Sequence, residues 1–396
     1  AQSYTYIGAN DGLSHRHVYS IKKDTLGYLW FLTYEGVDRF NGSEFKHYNF
    51  SVNGEQLNTS VHLTNLFYTT DHIPRQIGTD GKVFQYNPLS DQFDFVYKYP
   101  NDNTEITLLD FSYIDSQQKI WMSHKGNLHI YDYKQKKNIN INQHPLYATT
   151  TAEEIGGGIY AIGTTHGVFG AKIANDSLQL DSSTFLIDKL PMRIEQLYYH
   201  KPTNTLIIAS LRQGIFIYDL TKHQLSSRYD LQTTSVNRII TYSDSEVLVA
   251  TNGAGVYLLN VADNNIKPYI QADYDSPNAM NGNSIKDILL DNNNRIWMAT
   301  YPAGVTIRND KNMNYEWVKH TPRYNQSLVH NEVNNIIQDR DGDIWFATAN
   351  GVSLYRQKEK KWEAYLSSYN KELPINNRIF LSLAEIKPGI VWVGGY

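Results

Sequence analysis

Apolar and polar positions alternate along this chain in short runs, and the runs come in sets. Over 283–309, NSIKDILLD alternates, DNNNR interrupts it, IWMAT is apolar, YPAG interrupts again and GVTIR follows. A period of two, broken by Asn, Asp, Gly and Pro, predicts short antiparallel strands joined by turns. Segments with alternating aromatics supply a fourth strand per set: EFKHYNF (44–50), QFDFVYKY (92–99), YEWVKH (315–320) and KWEAYL (361–366). No stretch keeps a 3.6-residue period, so helices are expected to be few.

The sets repeat. LWFLTYEGV (29–37), RQIGTDGKV (75–83), IWMSHKGNL (120–128), IYAIGTTHGV (159–168), LIIASLRQGI (206–215), VLVATNGAGV (247–256), IWMATYPAGV (296–305) and IWFATANGV (344–352) are variants of one cassette, and IVWVGGY (390–396) begins a ninth. The marker glycines, Gly36, Gly81, Gly126, Gly167, Gly214, Gly255, Gly304 and Gly351, are spaced 45 residues apart on average. Trp30, Trp121, Trp297, Trp345 and Trp392, five of the seven tryptophans, share one register position. Four short strands per unit of this length describe a blade of a β-propeller, and the repeated Trp reads as packing between blades.

The fold class is therefore all-β, a propeller of four-stranded antiparallel blades. The chain opens on an unaccompanied fourth strand, Tyr4–Ile7, and seven units counted from it end near Arg308. That strand would complete the blade over 285–309 and leave no open sheet edge. Residues 1–312 then form a seven-bladed ring, and residues 313–396 begin a second, truncated propeller. A single eight-bladed ring is the alternative count.

The unit N-x-V-x-x-I-x-x-D-x-x-G-x-I-W-x-x-T-x-x-G-V closely resembles the two-component regulator propeller repeat, best in HVYSIKKDTLGYLWFLTYEGVDRFNG, NSIKDILLDNNNRIWMATYPAGV and NEVNNIIQDRDGDIWFATANGV. It weakens in blades two, four and five. The resemblance implies the periplasmic sensor region of a hybrid two-component system. Such a region binds an oligosaccharide and signals through a homodimer to a cytoplasmic histidine kinase that controls polysaccharide-utilisation genes. It implies membrane attachment through a downstream segment and no contact with nucleic acid by this one. A propeller carbohydrate-active enzyme and a dimerisation scaffold are the alternatives.

Composition changes little of this. Net charge is −4, which gives nucleic acid no basic surface. Thirty tyrosines suit strands and sugar-binding surfaces alike. Cysteine is absent, which removes disulfides and thiol chemistry and fits an oxidising compartment. The opening Ala-Gln reads as the mature end left by signal cleavage or as a cut made for expression. DRDGD (339–343) resembles a calcium loop, but DTLGY and DNNNR occupy the same slot in other units and no bidentate Glu follows, so it reads as a hairpin turn. No nucleophile motif, phosphate loop or metal spacing is present, so no catalytic residue, metal or cofactor is assigned. Ligand-binding candidates come from two loop sets, those before each first strand and those between second and third strands. They are Arg16, His17, Tyr34, Glu35, His166, Arg193, Arg212, Arg238, Tyr301 and Asn331, chosen for side chains that can hydrogen-bond hydroxyls or pair with an acidic sugar.

Overall fold

The computed structural model describes residues 3–396 apart from 53–54, 57–62, 101–104, 107, 143–144, 146, 182–185, 188–189, 232–234, 264, 274–278, 310–317, 321–325 and 369–377. The chain divides into two compact units, Ala1–Asn312 and Met313–Tyr396. The described residues are almost all strand and turn, with 3-10 turns at Ala9–Asp11 and Lys201–Thr203.

In the first unit every blade has an innermost first strand: Val18–Lys23, Leu63–Tyr68, Phe111–Ile114, Thr149–Gly156, Ile194–His200, Val236–Thr241 and Ser284–Leu290 in blades one to seven. Three more antiparallel strands follow outward in each. Every innermost strand neighbours the next, and that of blade seven returns to that of blade one, so the ring is closed with seven blades. Blade seven takes its outermost strand from the start of the chain: Ser3–Ile7 runs antiparallel to Val305–Asn309, with Ser3 opposite Asn309 and Ile7 opposite Val305. Blade four departs from the pattern, because Asn140–Ile141 joins it in parallel beside Ser177–Leu180 and Leu186–Ile187 adds a further pairing.

The core is not one mass. Seven apolar layers occupy the seven seams between neighbouring blades. Trp30 lies in the seam of blades one and two, Trp121 in that of three and four, and Trp297 in that of seven and one, each at most 2% exposed. Burying such a ring contributes several kcal/mol, on the order of 3–5.

The turn between first and second strands holds each Trp in place. Asp24 Oδ1 accepts the backbone N–H groups of Leu26 and Tyr28, and its Oδ2 accepts the Trp30 indole N–H at 2.9 Å. Asp115 with Trp121, Asp291 with Trp297 and Asp339 with Trp345 repeat this at 3.1, 2.9 and 2.8 Å. The spacing of six between Asp and Trp in the cassette is thus one hydrogen-bonded unit. It also commits the first carboxylate of DRDGD to the hairpin and to the ring of Trp345. At the other end of the second strand, the hydroxyl of Thr33, Thr164, Thr251 or Thr348 donates to the carbonyl of the marker glycine that follows. At Gly304 the backbone has φ +86°, and a Cβ would lie 2.3 Å from the Ile7 carbonyl oxygen of the closing strand. Only glycine admits that approach.

Among its described residues the second unit contains one blade, Val333–Gln338, Ile344–Thr348, Gly351–Arg356 and Lys361–Tyr365, and a hairpin, Phe380–Lys387 with Ile390–Gly395. Of the fourth strand expected at 315–320, residues 315–317 lie outside the described residues and 318–320 are irregular.

Candidate functional site

The loops before first strands and the turns between second and third strands emerge together, and a recurring backbone bond joins them. Tyr34 N–H donates to the His17 carbonyl, Thr165 to Ala148, Leu211 to Arg193 and Asn252 to Ser235, at 2.9–3.1 Å. Blades one, four, five and six therefore present their two loops as one clasped tip, on what we call the loop face.

At the seam of blades one and seven these tips build an aromatic cluster. His17 lies 4.6 Å from His15, centroid to centroid, and 4.7 Å from Tyr301 of blade seven. Tyr34 lies 5.2 Å from His15, and the Lys286 ammonium stands 5.1 Å above Tyr301. The Gly304 N–H donates to the Arg16 carbonyl at 2.9 Å, which fixes the two blades' tips to each other. Tyr34 and Tyr301 remain 39% and 36% exposed, so both residues reach solvent. Desolvation pushes the His17 imidazole below its usual range, and the neighbouring His15 and Arg16 push the same way. A neutral His17 offers one donor and one acceptor, and tyrosine supplies an apolar face with a polar tip. The arrangement suits a ring-shaped polyol.

Five of the ten sequence candidates, Arg16, His17, Tyr34, Glu35 and Tyr301, belong to this cluster or its margin. Arg193 and Arg212 share the clasped tip of blade five, where Arg193 Nε lies 3.6 Å from Glu195. His166 stacks on Tyr147 at 4.4 Å on blade four. Asn331 belongs to the second unit, where its side-chain oxygen accepts the His320 N–H at 2.7 Å. Arg238 is a correction. It is not a loop residue but part of the innermost strand Val236–Thr241, placed after a bulge between Val236 and its own ladder position. The extra residue of the bulge carries Arg238 into the central channel instead of the loop face.

That channel is a cavity of about 490 Å³ lined by the innermost strands of all seven blades. Arg238 Nε donates to Asp287 at 2.8 Å, and Lys22 Nζ lies 4.0 Å from the same carboxylate. Asp287 also accepts the Ile21 and Ile288 N–H groups, at 2.8 and 2.9 Å. Burial opposes its charge, yet Arg238 and Lys22 hold its carboxyl below the usual range. Burial pulls Lys22 down to about 8, with Asp287 opposing and Arg238 assisting. Glu153 accepts the Tyr199 N–H at 3.0 Å, and burial pushes it up to about 7 against that hydrogen bond. Lys22, Glu153, Asp287 and Lys286 carry no pattern in the sequence that marks them, and His15, which with His17 brackets Arg16, reads there as a solvated loop residue. Only the position of His15 beside His17 offered a signal.

A second cavity, of about 800 Å³, lies where the turns between first and second strands meet, on what we call the turn face. It shares Tyr68, Thr69 and Ile114 with the channel. Among the described residues no group of three or more His, Asp or Glu is placed to hold a metal, and no helix is long and apolar enough to cross a membrane.

Residues 279–301 and 327–350 match the family model described as two component regulator propeller. The fold is similar to solved extracellular domains from B. thetaiotaomicron. That of the hybrid two component system BT3049 is 19% identical, with a TM-score of 0.61, and the alignment covers 100% of this chain and 58% of that one. That of BT4673, also described as a hybrid two component system, is 14% identical with a TM-score of 0.60 over 100% and 58%. Sqt1 from Saccharomyces cerevisiae aligns at 13% identity and a TM-score of 0.52, over 74% of this chain and 83% of its own. The chain thus spans less than three-fifths of the two bacterial domains. No curated protein matches it.

Proposed function

We infer that this chain, which carries two-component regulator propeller repeats, is an extracytoplasmic ligand-sensing region of a two-component sensor and that its loop face binds an oligosaccharide. The observation that carries this reading is the cluster of His15, His17, Tyr34 and Tyr301. It sets two half-exposed aromatic rings and several hydrogen-bonding groups around one seam. The reading assigns no catalytic residue: the chain senses, and a histidine kinase elsewhere in the full protein responds. Two copies act together, and the ligand must favour one arrangement of them over another, because equal affinity for both shifts nothing. Genes for polysaccharide use are the output in this reading.

Calorimetry of the complete sensor region against plant, host and microbial oligosaccharides tests it. At least one glycan should bind, and the double replacement Tyr34→Ala with Tyr301→Ala should weaken that binding tenfold or more. No binding across the panel, or undiminished binding by the double variant, contradicts the reading.

A further inference from the structure

The central channel of the first ring holds charged groups that the loop-face reading does not use. Lys22 and Arg238 approach Asp287 from blades one and six. Asp287 is already engaged by the Ile21 and Ile288 N–H groups. Arg238 reaches it through Nε, so the guanidinium keeps further N–H groups, and Lys22 reaches it only at 4.0 Å. Among the described residues neither cation has another acceptor. Two cations facing one fixed carboxylate leave an excess of one positive charge on this wall. Across from them Glu153, pushed up to about 7, carries a proton in mildly acidic solution and adds a donor rather than a charge. Asn65, Gln196 and Tyr198 line the same cavity with neutral polar groups, and its one further carboxylate, Asp110 on blade three, accepts the Gly126 N–H at 3.1 Å, away from the wall of Lys22 and Arg238. A cavity of about 490 Å³ is within the range of small-ligand sites, roughly 300–1,000 Å³.

Access is provided from the turn face. The larger cavity there shares three residues with the channel, and Lys23, His72 and Asn292 stand on its wall. The carboxylate nearest that mouth, Asp24, is committed to Trp30 and its own turn, and Glu154 is committed to Ser116. Lys23 on the same wall offsets the Asp24 charge, so an approaching anion meets no net negative charge at the mouth.

We propose that this channel is a second binding site, which takes a small solute bearing one carboxylate and several hydroxyls, of the class of a single uronic acid. The carboxylate sits between Lys22 and the free N–H groups of Arg238, an arrangement matched to carboxylate geometry. The hydroxyls meet the amide and phenol groups of the other blades.

Titration calorimetry of the whole chain at mildly acidic pH tests this, with D-glucuronate, D-glucose and acetate as probes. D-Glucuronate should bind at least tenfold more tightly than either of the others, and Lys22→Gln should weaken it tenfold or more. Equal affinity for D-glucose removes the charge argument, and equal affinity for acetate removes the commitment to a hydroxylated ligand. Lys22→Gln removes a charge next to buried Asp287 and can unfold the ring, so the wild-type chain provides a second readout. D-Glucuronate, and not D-glucose, should slow chemical acetylation of Lys22 as read by mass spectrometry. Absent protection overturns the proposal. The double variant Tyr34→Ala with Tyr301→Ala should bind D-glucuronate within twofold of wild type. A loss there would place the carboxylate at the loop face and overturn the channel site, while leaving the sensing role standing.

Discussion

Trp297 and Trp392 occupy the same position in the same cassette, yet one is 2% exposed and the other 66%. Both stand in a second strand, and both strands pair with the first strand of their own hairpin. What differs is the neighbour. Trp297 faces Phe31 and Phe40 of blade one at 6.2 and 6.4 Å, because the ring closes there. Among the described residues nothing comparable covers Trp392. The cassette thus encodes a strand, a turn and a reach toward the next blade, and burial is a property of the seam that two cassettes make.

Replacement of the two rings by alanine breaks the comparison most directly. Trp297→Ala should cost the first unit about 3–5 kcal/mol, and Trp392→Ala should stay within about 0.5 kcal/mol. Equal shifts in chemical denaturation would mean that the seam does not decide burial energy.

The glycines give the next effect. At Gly304 a Cβ meets the closing strand, whereas Gly389, with φ +75°, has open space around it. Gly304→Ala should cost ~3 kcal/mol, combining backbone strain with displacement of the closing strand. Gly389→Ala should cost only the left-handed strain, about 1 kcal/mol. Thermal unfolding of the two variants compares them.

A smaller difference lies in the channel, where Glu153 stands and blade eight has Ile337. Folding raises the Glu153 pKa, so its contribution is fully present at acidic pH and is lost as pH rises through about 7. Glu153→Gln should exceed wild type by ~2 kcal/mol at alkaline pH and match it in acid. A constant offset at all pH values would show that burial does not set this carboxyl. The smallest expected effect is none: millimolar calcium should leave the melting temperature unchanged, since Asp339 is committed to its turn and Trp345.

The periodic elements were legible because they repeat. The spacing of Trp and Gly, the unpaired opening strand and the hairpin role of DRDGD all follow from comparing one unit with another. The channel was not legible. Innermost strands in blades one, two, four, five, six and seven carry a bulge near the start, and one inserted residue inverts the alternation that tells inward from outward. Arg238 was placed on a loop for that reason, and Lys22, Glu153 and Asp287 showed no pattern at all. The His15–His17–Tyr301 contact joins residues nearly three hundred positions apart, and only ring closure brings them together. The added strands of blade four rest on non-local pairings that local alternation does not announce.

Everything on the loop face and in the channel depends on the first strand closing the seventh blade. Ser3 and Asn309 stand opposite each other in that pairing, and the chain has no native cysteine to interfere. In Ser3→Cys with Asn309→Cys, mild oxidation should form a disulfide in the folded chain and raise stability, by up to about 5 kcal/mol for so long a loop. The neighbouring pair Ser3→Cys with Arg308→Cys, on opposite faces of the sheet, should stay reduced. A Ser3/Asn309 pair that remains reduced under the same conditions, or equal cross-linking of both pairs, would contradict the closed seven-bladed ring.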